Sequence, residues 1–131
     1  QFMADFVGGF AEEPEVVKTI RDLKEEAGYV LDPHTAVASA VYKQYAEMTG
    51  DTRKTVIAST ASPYKFAPNV MKALGYDVEH QDGFEVIDQL SEISGVPEPR
   101  AIREVRNAAI RHSEVCEISE MKKMVEDFLF V

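Results

Sequence analysis

The sequence has one cysteine, Cys116. A lone thiol cannot form an internal disulfide, so the default setting is a reducing compartment, and we expect a cytoplasmic protein. It also lacks an apolar run near the roughly 20 residues needed to span a bilayer, which excludes a membrane span. Basic residues are scarce: 14 Lys plus Arg stand against 23 Asp plus Glu, a formal net charge of -9. Nucleic acid and anionic membrane surfaces call for the opposite sign, so neither is an expected partner. No low-complexity tract appears, and 45% hydrophobic with 28% charged residues is ordinary for a folded domain. The 131 residues suffice for one domain with a real core.

Chemical signatures are sparse too. "FVGGF" is followed by neither GK[ST] nor GxGxxG, so it is not a phosphate loop. There is no G-x-S-x-G nucleophile elbow. His80 and His112 have no partners at metal-ligand spacing, and His112 with Cys116 is a single pair lacking a second half, so no metal is expected. The N-terminus has no basic stretch leading an apolar block and does not read as a signal peptide. It does not begin with Met, which suggests a processed chain or an excised piece.

What remains is a helical pattern. Val16, Ile20, Leu23 and Ala27 form one stripe of a helix over Glu15 to Ala27, with Lys18, Arg21, Asp22 and Glu25 on the wet side. Gly28 stops it. Asp32 then reads as an N-cap and Pro33 as the first position of a helix to about Met48, with small residues on its early turns. Further helices are expected over Ala67 to Leu74, Phe84 to Ile93, Ala101 to Ile110 and Ser119 to Phe130, the last capped by Ser119. Thr55 to Ala58 is the one convincing strand. A lone strand cannot satisfy its own backbone groups. Phe2 to Val7 and Tyr29 to Leu31 are candidate partners; otherwise the partners lie in another chain segment.

Two stretches could carry chemistry. In "LDPHTAVA", Asp32 precedes His34 and Thr35 on the first turn of a helix, where free amides and the dipole favour an anion. The plainer reading is an ordinary cap with an exposed histidine. In "STASPYKF", a strand end opens into Ser59, Thr60 and Ser62 followed by Lys65, at the place where open α/β sheets put a ligand crevice. The plainer reading is a polar turn with a solvated lysine. Arg100, Arg103, Arg106 and Arg111 form the only basic cluster, read as a solvated face or as partners for acidic helices, with a substrate-phosphate role as the lesser alternative.

Together, in this order, the two stretches resemble the C-terminal part of threonine synthase. "GYVLDPHTAVA", Gly28 to Ala38, is similar to the family's "GYLLDPHTAVG", and "STASPYKF", Ser59 to Phe66, to its "STAHPAKF". The resemblance implies an α/β fold: the C-terminal portion of a fold-type II large domain of the tryptophan-synthase β type, mostly helical with few strands. Residues 1–131 would be a single partial domain of a longer, pyridoxal 5'-phosphate-dependent enzyme. The whole enzyme would convert O-phospho-L-homoserine and water to L-threonine and phosphate. The resemblance puts Thr60 at the pyridine nitrogen of the cofactor, with Ser59 beside it. Ser62, Lys65, Asp32, His34 and Thr35 would line the pocket edge. Ser62 replaces the family's histidine and Ala38 its glycine.

The Schiff-base lysine and the phosphate-cradling glycine loop would belong to the missing N-terminal part of the same chain. The 131 residues alone are therefore expected to have no catalytic residue and no activity. The rival reading is a free-standing, non-catalytic α/β module that binds a small anion or a protein partner. A third is a relative that kept the cofactor but lost threonine synthesis.

Overall fold

A computed structural model describes residues 5–130. Among the described residues six helices follow one another: α1 (Glu13–Ala27), α2 (Pro33–Thr49), α3 (Ala67–Ala73), α4 (Gly83–Ser94), α5 (Arg100–Arg106) and α6 (Met121–Leu129). A 3-10 turn, Pro63–Phe66, leads directly into α3, and another, Ile118–Glu120, into α6.

The helix ends follow local chemistry. α1 starts at Glu13, two residues before the expected Glu15, because Glu12 and Glu15 form a reciprocal capping box around Pro14. Gly28 ends it with φ +69°, a left-handed conformation that glycine adopts without steric cost. α2 begins on the Asp32 cap and runs to Gly50, which has φ +68°. Asp82 and Glu85 box the start of α4. The cap expected at Ser119 is instead a box made by Glu117 and Glu120, and α6 proper starts at Met121.

α1 and α2 make the most extensive helix pair, and α3 packs on both α1 and α4. The core gathers Ile20 of α1, Val30, Leu31, Ala36 of α2, Val70 and Met71 of α3, and Val86 and Leu90 of α4. Ala36 and Ala40 are buried while Ala38 faces out, so the small residues of α2 serve close approach on one side. Two cations of α1 bind helix ends across the core. Arg21 Nη2 donates to the Ala73 carbonyl at the end of α3 (3.0 Å), and Lys24 Nζ to that of Ile93 near the end of α4 (2.8 Å). On the far side Arg106 pairs with Asp88 and Glu98 and lies over the Phe84 ring at 4.9 Å, so this part of the basic cluster binds acidic neighbours.

The sequence expectation fails at the strand. Thr55–Ala58 is irregular, and the described residues contain no β-strand. The cause is the want of a ladder partner: Val56 is 94% exposed, and among the described residues no segment pairs with it. Of the candidate partners, Tyr29–Leu31 is a connection that sends Val30 and Leu31 into the helical core. Asp5–Val7 is irregular, and Phe2 to Ala4 lie outside the described residues. Of the glycine pair, Gly9 has a packing role, since a Cβ there would meet Val41 Cγ1 of α2 at 2.6 Å, while Gly8 has open space around it. Among the described residues no helix is long and apolar enough to cross a membrane.

Candidate functional site

The site is built on the first turn of α2. Asp32 is 1% exposed and Thr35 4%, the only buried polar or charged side chains among the described residues. A carboxylate is taken out of water here only because donors surround it. Asp32 Oδ1 accepts from the amides of His34 (3.0 Å) and Thr35 (3.3 Å) and lies 3.3 Å from His34 Nδ1. Its Oδ2 accepts from the Thr35 hydroxyl. Burial opposes ionisation, but the Thr35 and His34 hydrogen bonds outweigh it and hold the carboxyl below its ordinary range. Asp32 thus fills the amide-rich end of its own helix, and the anion position read from the sequence is taken by an internal carboxylate.

From this turn two contacts reach the second motif. Thr35 Oγ1 lies 3.1 Å from Ser59 Oγ. The single proton of Thr35 goes to Asp32, so Ser59 donates in this contact. The His34 ring meets the Phe66 ring with centroids 4.8 Å apart and planes at 49°. Lys65 Nζ sits 5.5 Å from the centre of the same Phe66 ring. "LDPHTAVA" and "STASPYKF" therefore form one spatial unit joined at both ends of the second motif.

The other candidates fall around this unit. Ser59 and Thr60 are exposed, and the Thr60 side chain has no partner among the described residues. Ser62 is half-buried and caps the 3-10 turn by accepting from the Tyr64 amide (3.3 Å). Lys65 is exposed. The sequence reading passed over two residues. Phe66 is the ring partner of His34. Tyr64 is buried and anchors the loop from below, its hydroxyl donating to the Val96 carbonyl. An aromatic directly after proline in a polar loop was the available signal for Tyr64. A groove of about 300 Å³, lined by Val16, Ile20, Pro33, His34, Val37 and Asn69 among others, opens beside His34.

Residues 35–124 match the family profile described as threonine synthase, C-terminal. The chain is 37% identical over 95 residues to the mouse protein threonine synthase-like 1, a stretch that is 72% of this chain and 12% of that protein. It is 41% identical over 70 residues to the human protein of the same name, 53% of this chain and 9% of that one. The chain thus spans only about a tenth of the length of these relatives. On the profile match, which covers well over half its length, the chain belongs to the threonine synthase C-terminal family.

Proposed function

We propose that these residues are the C-terminal segment of a threonine synthase of the tryptophan-synthase β type (fold type II), an enzyme acting in the cytoplasm. The whole chain would convert O-phospho-L-homoserine and water to L-threonine and phosphate. The observation that carries the reading is the joining of the two family-like motifs through Thr35 and Ser59, which leaves the Thr60 hydroxyl exposed and unpaired among the described residues.

The residues present fit one side of pyridoxal 5'-phosphate. Thr60 offers a neutral hydroxyl for the pyridine nitrogen, and the carboxylate of the adjoining turn, Asp32, is buried and hydrogen-bonded and so is not presented to a protonated ring. Ser59 stands next to it, Ser62, Lys65 and His34 would supply the surrounding wall, and the buried Thr35 backs the pocket edge from behind Ser59. The cofactor, when bound, supplies an electron sink for carbanion chemistry. The segment supplies orientation and a neutral electrostatic setting. Its motifs include no counterpart of the cofactor-bearing lysine or of the phosphate loop. Turnover therefore requires the remainder of the longer chain, which is the partner we assign to this segment.

A second reading has an observation of its own. Ser62 replaces a family histidine, and a relative that keeps the cofactor without making threonine would tolerate that loss. The test is the parent chain with pyridoxal phosphate and O-phospho-L-homoserine, following phosphate and threonine together. Thr60→Asp should shift the absorbance of bound cofactor and lower turnover about tenfold or more, the scale of one altered hydrogen-bonding interaction with a charged group. Cofactor binding without threonine selects the second reading. A parent chain that binds no cofactor overturns both.

A further inference from the structure

We propose that Thr35 is the positioning residue of the Ser59–Thr60 loop, with Asp32 fixing Thr35 and His34 holding the far end of the loop at Phe66. Residues 52–61 form no helix or strand, and Ser59 and Thr60 are exposed, so secondary structure does not set where these hydroxyls stand. The tie to Thr35 does. Thr35 is itself buried on the first turn of α2, and its β-branched side chain has few rotamers. Its proton is committed to the Asp32 carboxylate, which leaves its lone pairs to receive Ser59. The order of donation is Ser59 to Thr35 to Asp32, ending on a carboxylate with both oxygens engaged. Asp32 is accordingly an orienting group and not a reagent.

Seven residues on from Ser59, the His34 ring holds Phe66. Consecutive residues of one helical turn thus grip both ends of the loop, and Thr60, Ala61 and Ser62 lie between the two grips. The loop-fixing role stands on this geometry alone. The consequence for the cofactor, that Thr35 acts on it through Thr60 without touching it, rests on the reading given under Proposed function.

The test has two arms. In the 131-residue chain without cofactor, backbone ¹⁵N order parameters are measured for wild type, Thr35→Val, Thr35→Ser and Ser59→Ala. The expected result is a rigid wild-type loop, with values for Thr60 and Ala61 near about 0.85, falling below about 0.6 in Thr35→Val and in Ser59→Ala. Thr35→Ser, which restores the hydroxyl, should return them, and the values for Ala40 and Val70 should not move in any variant. If Thr35→Val fails to fold, Ser59→Ala decides, because Ser59 is exposed and its loss leaves the core intact. Unmoved loop values in Ser59→Ala overturn the proposal.

In the parent chain, pyridoxal phosphate affinity is the second readout. Thr35→Val is expected to weaken it about three- to tenfold, as one hydrogen bond would, with rescue by Thr35→Ser. Loss of loop order without any change in affinity overturns the coupling through Thr60 while the clamp stands. A parent that binds no cofactor overturns the functional reading and leaves the first arm intact.

Discussion

The Thr35 hydroxyl lies 3.1 Å from the Ser59 hydroxyl and donates to the buried carboxylate of Asp32. Twenty-four residues of chain separate the two hydroxyls. A single carboxylate therefore serves two levels of structure: it caps α2, and it anchors the loop that carries Ser59 and Thr60.

Removing that carboxylate should cost more than an ordinary cap. Loss of an N-cap side chain costs about 0.5–2 kcal/mol, and a buried hydroxyl left without its acceptor adds about 1–3 kcal/mol. Thr35 keeps Ser59 as a partner, which limits the second effect. For Asp32→Ala we expect a loss near about 2–3 kcal/mol by urea unfolding. Asp32→Asn retains an acceptor for the amides and should lose only about 1 kcal/mol. Equal losses in the two variants would remove the amide cap, which Asn keeps and Ala lacks, from the account.

The acid limb of stability should carry the same signature. The folded Asp32 carboxyl titrates below its ordinary value of 3.8, so the unfolded chain takes up the proton first as pH falls. The contribution of Asp32 is present in full above the unfolded value and is lost as pH drops from about 3.8 through the lower folded value. Asp88 acts in the same direction, because the Arg106 guanidinium lowers its pKa. Unfolding midpoints measured between neutral pH and pH 2 should fall less steeply in Asp32→Asn than in wild type. An unchanged slope would mean that the carboxyl is not held down in the fold.

The core and the irregular segment should respond oppositely to truncation. Leu90 of α4 is fully buried in the core, and Leu90→Ala should cost about 2–5 kcal/mol through lost burial and the cavity left behind. Val56→Ala should stay within about 0.5 kcal/mol in this chain, because Val56 touches water on nearly all sides. In the parent chain, where a neighbouring strand would cover it, Val56→Ala should become destabilising. Thermal unfolding of both substitutions in both chains checks this.

The same contrast explains what the sequence revealed. Helix ends were legible wherever one residue type answers one backbone need: Asp32 capping α2, and Gly28 in the left-handed turn that ends α1. The two motifs of the site were legible as text, and Asp32, Thr35 and Ser59 do meet. Thr55–Ala58 misled because β-branched residues signal only compatibility with a sheet, while a strand exists only where another chain segment supplies the ladder. The start of α1 slipped because the Glu12–Glu15 box lies outside the apolar stripe. Arg21 looked like a solvated charge, and nothing in the sequence singled out Lys24. Their reach to the ends of α3 and α4 depends on how helices distant in sequence pack, and periodicity is blind to that. The Phe66–His34 contact was hidden for the same reason.

Tyr64 offers a last check, since it supports the loop from the core side. Its ring is buried and its hydroxyl donates to the Val96 carbonyl, with Ser94 Oγ 3.3 Å away. Tyr64→Phe keeps the ring and deletes the donor. The Val96 carbonyl would not be orphaned, because Ser91 Oγ also donates to it at 3.1 Å. The expected loss is therefore about 1 kcal/mol, the net value of one hydrogen bond, and not the larger penalty of an unsatisfied buried acceptor. Tyr64→Ala also removes the ring and should cost about 3–5 kcal/mol, in the range of large aromatic truncations. Paired urea titrations give both values. A Tyr64→Phe loss approaching that of Tyr64→Ala would show that the hydroxyl, and not the buried ring, secures the turn beneath Ser62.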